Sequence, residues 1–214
     1  DRAGVCNGKD GLEGFLFSGK IKIHLKKERT RMNTLDCIKT RRSVRKYADK
    51  PVPHELIEQA IAAAAYAPSW KNTQVTRYYV VDDPELKAKI ADECCGHLFP
   101  NNAKIIENAP MIIATAMVRN RSGYERDGSF TNEKEKGWQM FDCGIASQTF
   151  ALACHELGLD TVTMGIFDFD RATELFQIPE DQEVAALMAV GYREDEEIVA
   201  PKRKTVEQLL TFVK

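Results

Sequence analysis

The chain has 214 residues, 43% hydrophobic and 29% charged, with a formal net charge of -2, which suits one globular domain with a sizeable core and argues against a dedicated nucleic-acid binder. No apolar run approaches the roughly 18 residues of a membrane-spanning helix, and Asp1, Lys9, Asp10 and Glu13 break up any secretory core at the start. The expectation is a cytoplasmic protein whose six cysteines are reduced thiols.

Residues 1–31 differ in charge from the rest of the chain, with eight Lys/Arg against four Asp/Glu where the remainder has 22 against 28. Gly4, Gly8, Gly11 and Gly14 give a flexible opening, and Lys20 to Lys26 alternates apolar and basic residues as an edge strand would. Gly14 to Lys20 fits most of a phosphate-loop pattern, but Ile21 stands where a magnesium-holding Ser or Thr is needed, so that motif is rejected. The segment reads as an N-terminal extension, with Met32 as the natural start.

A capped helix is expected from Asn33 or Thr34 to Thr40. It delivers the turn Arg41-Arg42-Ser43-Val44-Arg45-Lys46-Tyr47, with four cations and a hydroxyl within seven residues. Guanidinium forks pair bidentately with phosphate oxygens, so the turn suits a bound phosphate; the competing reading is a solvated basic surface. Pro53 opens a second helix that stops before Pro68. The loop Pro68-Ser69-Trp70-Lys71-Asn72-Thr73-Gln74 is rich in hydrogen-bonding side chains, although it could be a plain helix-to-strand connection.

Next come a strand over Thr76 to Val81, helices over Pro84 to Cys94 and Asn101 to Asn108, and a buried strand over Met111 to Val118. Arg119 to Glu133 is polar and holds Gly123 and Gly128, which predicts a mobile loop. Lys136 to Leu157 is the longest helix, apolar almost all round and hence central, with Gly158 capping it. A strand over Asp160 to Gly165, a helix over Asp168 to Phe176 and a strand over Glu183 to Tyr192 come after it. Lys202-Arg203-Lys204 then precedes a final helix over Thr205 to Val213. This loose alternation of helices and strands predicts an α+β sandwich in preference to a doubly wound sheet.

The cysteines lack paired Cys-x-x-Cys spacing and the four histidines are scattered, so no metal is expected. Cys94-Cys95 could be a redox pair, but burial as packing residues is the better reading. Trp70 and Phe130 could stack on a substrate; packing is again preferred, and Phe130 is left out of the site.

Three separated features coincide: the Arg41–Arg45 turn, the Pro68–Gln74 loop and the basic cluster before the last helix, with Met164-Gly165-Ile166-Phe167-Asp168 between them. Together they resemble the nitroreductase family of flavin enzymes over Met32 to Lys214. The resemblance implies a nitroreductase-like α/β sandwich, with a mostly antiparallel central sheet flanked by helices. It also implies an intertwined homodimer with noncovalent FMN at the subunit interface.

By the same resemblance, Arg41 and Ser43 match the phosphate and ribityl contacts, Arg42 lies between them, and Arg45 matches the cation near the flavin pyrimidine edge. Pro68, Ser69, Trp70, Asn72 and Gln74 would reach FMN from the other subunit. Asn101 or Asn102 and Lys104 resemble ring contacts, and backbone groups of Met164 and Gly165 correspond to the strand end facing the reactive flavin nitrogen. Lys202, Arg203 and Lys204 cover the C-terminal phosphate contacts. One departure is Val75-Thr76, where the family usually has Pro-Trp.

The implied activity is hydride transfer from NADH or NADPH to a nitroaromatic, quinone or related acceptor by a ping-pong cycle. Elementary chemistry agrees, since a cation such as Arg45 would stabilise the charge that reduction places on the pyrimidine edge. No Gly-x-Gly-x-x-Gly occurs, so the nicotinamide is expected to stack on the flavin without a dinucleotide domain of its own. No catalytic side chain is assigned. Alternatives are another flavin reaction on this scaffold, such as flavin destruction, reductive dehalogenation or ring dehydrogenation, or a flavin-binding sensor or carrier without turnover.

Overall fold

The computed structural model describes residues 32–194 and 198–213. The N-terminal extension and its expected edge strand lie outside them. Four strands form the sheet: β1 (Thr76–Val81), β2 (Met111–Val118), β3 (Asp160–Met164) and β4 (Gln182–Gly191). They are ordered β1-β2-β4-β3, and every neighbouring pair is antiparallel.

β2 occupies the middle because seven of its eight residues are buried, from Met111 through Met117, leaving no face for water. Its side chains alternate between two cores. Ile112, Ala114 and Ala116 meet Ile90, Ile105, Ile106 and Ala172, on helices α3 (Pro84–Ile90), α4 (Pro100–Asn108) and α6 (Phe169–Leu175). Met111 and Ile113 meet Ile57, Ala60, Phe150 and Cys154, on α2 (His54–Ala64) and α5 (Gly137–Glu156). The period of two along one strand thus places helices on both sides of a single sheet, the expected α+β sandwich.

The short α1 (Thr34–Thr40) is capped by Asn33, whose side chain accepts from the Asp36 amide at 3.0 Å. Three expectations need correction. The helix expected over Pro84 to Cys94 is α-helical only to Ile90 and continues as a π-helical turn over Ala91–Cys95. Gly96 closes it at φ 45°, where a Cβ would lie 2.6 Å from the Asp92 carbonyl oxygen, so only glycine fits. The final helix is one turn, α7 (Val206–Leu209), with Leu210 already extended. Its apolar residues Val206 and Leu209 are exposed, as are Leu210, Phe212 and Val213, and a helix with no packed face does not propagate.

Thirdly, the segment expected to be a mobile loop folds back on itself. Tyr124 bridges Phe130, the Glu125 amide donates to the Ser129 carbonyl at 2.8 Å, and the Thr131 amide donates to the Gly123 carbonyl at 2.8 Å. Ser122 at its base is fully buried.

Cys94 and Cys95 are buried. Burial first, and for Cys94 also its neighbour, pushes their thiols up to about 12 and about 11. Thiols so hard to ionise are poor nucleophiles, which agrees with the packing role. Among the described residues no helix is long and apolar enough to cross a membrane.

Candidate functional site

The basic turn comes directly after α1 and runs alongside β3. Ser43 bridges Thr161 in parallel, the Val44 amide donates to the Thr161 carbonyl at 3.1 Å, and the Ala48 amide donates to the Tyr192 carbonyl at 2.8 Å. Val44 and Tyr47 point into the core at 1% and 2% exposure. The Tyr47 hydroxyl donates to the carbonyls of Val44 and Ala189 at 2.7 and 3.1 Å. Asn108 takes the Tyr47 amide at 2.7 Å and returns a hydrogen bond to its carbonyl at 3.3 Å. With the apolar members turned inward, Ser43 and Arg45 are left exposed.

Arg41, Arg42, Ser43 and Arg45 share a cavity of about 330 Å³ with Ile198, Val199, Pro201 and Arg203. Of the expected C-terminal contacts, Arg203 lines this cavity, whereas Lys202 and Lys204 do not. Among the described residues its lining carries four guanidinium groups and no carboxylate. The arginine side chain of Arg41 has its pKa lowered, first by burial and then by repulsion from Arg203 and Arg42. Arg42 donates to the Lys39 and Arg41 carbonyls at 2.5 and 2.9 Å, yet its Nε is buried with no partner among the described residues. Crowded cations with an unsatisfied donor fit a phosphate group, which would relieve both costs.

Behind the turn, Asp160 of β3 is 4% exposed. Arg193 donates to its two oxygens at 2.6 Å each, and His155 Nδ1 lies 3.3 Å away. Burial works against the ionised carboxyl, but the hydrogen bonds from Arg193 and His155 outweigh it and hold Asp160 below the ordinary carboxylate range.

The polar loop lies elsewhere. Pro68, Ser69 and Gln74 line a second cavity of about 340 Å³, together with Tyr78 and Asp142. Among the described residues none lines both cavities. Trp70 begins a 3-10 turn over Trp70–Asn72 and packs against Trp138 with ring centroids 4.7 Å apart, a packing role. Lys71, Asn72 and Gln74 adopt φ of 45°, 55° and 47°, a region non-glycine residues seldom visit. Asn72 and Gln74 are exposed, and the Gln74 amide group donates to the Asn72 side chain at 3.1 Å. Val75, at the departure from the family pattern, is 1% exposed and its carbonyl accepts from the Val118 amide at 2.9 Å.

Asn101 and Lys104 are exposed on α4. Asn102 instead donates to the Ile166 carbonyl at 2.7 Å, tying α4 to the segment after β3. Met164 is buried and Gly165 exposed at that strand end. Sequence reasoning missed Asp142, Ser122 and the apolar wall of Ile198, Val199 and Pro201. A carboxylate inside a helix that is apolar almost all round was the one available signal for Asp142.

With this architecture in view, the comparison with known proteins is direct: the chain belongs to the nitroreductase family, whose model matches residues 38–192. It is 34% identical over 177 residues, 81% of its length and 84% of the relative, to "Putative NADH dehydrogenase/NAD(P)H nitroreductase" of Methanothermobacter thermautotrophicus. It is 29% identical over 170 residues, 75% of its length and 66% of the relative, to "FMN reductase [NAD(P)H]" of Bacillus subtilis. Among solved structures, the FMN-dependent nitroreductase of Clostridium difficile R20291 superposes with a TM-score of 0.66 at 25% identity, covering 83% of this chain and 98% of that one.

Proposed function

We propose that this protein binds FMN and transfers hydride from NADH or NADPH to a nitroaromatic, quinone or related conjugated acceptor in the cytoplasm. The observation that carries the reading is the cavity in which Arg41, Arg42, Arg45 and Arg203 converge, with no carboxylate among the described residues that line it, in a chain of this family. Arg41, Arg203 and the Ser43 hydroxyl would hold the terminal phosphate, and Arg45 would lie beside the electron-poor end of the ring. When bound, FMN supplies the hydride-carrying centre for both half-reactions. The chain's own contribution is to bind, orient and shield it, with Arg45 favouring added negative charge. A cradle for one terminal phosphate suits FMN over FAD.

The site is composite across a homodimer in this reading, with the turn from one subunit and Ser69, Asn72 and Gln74 from the other. Support comes from the two cavities having no lining residue in common among the described residues. The apolar side chains left exposed on α5, Met140 and Phe141, and along residues 206–213 offer the surface such a dimer would cover.

The test is chromatography of extracted pigment and the visible spectrum before and after anaerobic NADH or NADPH. FMN bleached by either donor is the expected result. FAD, or no flavin after reconstitution, overturns the reading, and FMN that neither donor reduces indicates a sensor or carrier. Refolding the Arg41→Ala, Arg45→Ala double variant together with the Asn72→Ala, Gln74→Ala double variant should restore one intact site per heterodimer. Proven heterodimers without activity overturn the composite site.

A further inference from the structure

The loop Ser69 to Gln74 holds an uncommon backbone shape with no glycine; its own backbone bonds run from the Asn72 amide to the Ser69 carbonyl at 3.0 Å and from the Thr73 amide to the Trp70 carbonyl at 2.9 Å, and a side chain outside the loop adds to what fixes that shape. The side chain that does so lies about seventy residues away. Asp142, on α5, is 4% exposed. Its Oδ2 accepts from the Trp70 amide at 2.9 Å and from the Ser122 hydroxyl. The Ser122 and Thr73 oxygens are 2.6 Å apart; because Ser122 spends its proton on Asp142, Thr73 must donate to Ser122. One carboxylate oxygen therefore grips the loop at both ends, directly at residue 70 and through a hydroxyl relay at residue 73. Between these anchors sit Lys71 and Asn72 with their left-handed backbones, and directly after them Gln74, whose amide donates to Ser69 Oγ at 3.0 Å.

The grip has no cationic partner among its hydrogen bonds: the Trp70 amide and the Ser122 hydroxyl are directed at the same oxygen, and the Thr73 hydroxyl reaches it through Ser122. An arrangement that ties polar groups of two loops to one buried acceptor, two directly and one by relay, fixes their relative positions more than it adds stability. Packing repeats the connection: Trp70 lies on Trp138, and a Cβ on Gly123 would meet Trp138 at 3.1 Å and the Glu135 carbonyl oxygen at 2.4 Å. The segment after Ser122 thus runs hard against the ring beneath the loop.

We infer that Asp142 is a positioning residue which, through Ser122 and Thr73, holds the loop Ser69 to Gln74 in the shape that presents Asn72 and Gln74 to the flavin. This rests on the FMN reading above. It assigns Asp142 no contact with the flavin and no proton transfer.

The experiment compares cofactor-free wild type with Asp142→Ala, Asp142→Asn, Asn72→Ala and the Asp142→Ala, Asn72→Ala double variant. Two signals are read: FMN affinity by fluorescence titration, and the exciton circular dichroism of Trp70 and Trp138, the chain's two tryptophans. Asp142→Ala is expected to weaken FMN about tenfold, the order expected for losing one or two hydrogen bonds from a binding arrangement, and to diminish the tryptophan couplet. Asp142→Asn, which keeps an acceptor oxygen, should recover most of both. Asn72→Ala should matter much less once Asp142 is gone, whereas the effect of Arg41→Ala should be unchanged by it.

Wild-type affinity in Asp142→Ala overturns the inference, and so do losses at Asp142 and Asn72 that multiply independently, which a purely structural role would give. If Asp142→Ala fails to fold, Ser122→Ala paired with Asn72→Ala reads the same coupling and decides between the same outcomes. Failure of wild type itself to bind FMN falls on the functional reading, while the couplet in Asp142→Ala still tells whether Asp142 holds the loop.

Discussion

The basic turn and the polar loop carry the two most informative stretches of the sequence, yet they are held in place by different means. The turn is fastened through its backbone: Val44 pairs with Thr161, Tyr47 pairs with Asn108, and buried side chains alternate with exposed cations. The loop is fastened through side chains, chiefly Asp142, against a backbone shape its residues do not favour. A segment added to a sheet inherits its shape from the sheet, so its outward residues are free to serve a ligand. A loop shaped by distant side chains depends on those side chains, and its ligand groups are only as well placed as the anchor.

The largest expected effect that tests this contrast is at Tyr47. Tyr47→Ala should destabilise the protein by about 4 kcal/mol, as for other large buried aromatics. The Asp142→Ala change should lower the melting temperature far less while disturbing the loop. Equal losses of stability would erase the distinction.

Next is Asp160, adjacent to the residue that receives the turn. Asp160→Asn leaves the Arg193 guanidinium without its bidentate acceptor, and thermal or urea unfolding should show a loss of about 3 kcal/mol at neutral pH. The sign with pH is fixed by the depressed carboxyl. Its stabilisation is fully present above the unfolded-state value of about 3.9 and is lost as pH falls through the lower folded value. The advantage of wild type over Asp160→Asn in acid unfolding should therefore begin to shrink below about pH 4 and be gone once pH is below the lower folded value. An advantage that does not change as pH falls would show that the ionised Asp160 carboxylate is not its source.

Arg41→Ala should weaken FMN by about 1.5–3 kcal/mol, the value of a charge-assisted contact, as measured by flavin fluorescence. Arg121→Ala, at an exposed position outside the basic cavity, should leave it unchanged. Equal effects would mean the turn is only a charged surface. The smallest effect belongs to the loop's ion pair. Lys71 Nζ meets Glu125 at 2.9 Å, but both side chains are half exposed and water screens them. Lys71→Ala should leave the melting temperature and the tryptophan couplet unchanged within error, and a lost couplet would move the loop's anchor from Asp142 to this pair.

The sequence by itself determined most of the local structure. The spans of β1 and β2 follow from their apolar runs and the turn residues around them, and α1 follows from Asn33 as its cap, because these signals lie within a few residues of what they control. The cationic character of the turn was legible for the same reason, and the family resemblance ordered the motifs along the chain. Only the tertiary structure decided that Arg203, and not Lys202 or Lys204, lines the cavity with Arg41, since three adjacent cations look alike until the backbone aims them. It alone cut the last helix to one turn, because an amphipathic pattern persists as a helix only where something covers its apolar face. It also alone brought Asp142 and Ser122 to Trp70 and Thr73. Hydrogen bonds between residues fifty or seventy positions apart leave no periodicity in a sequence, and folding is what brings them within reach.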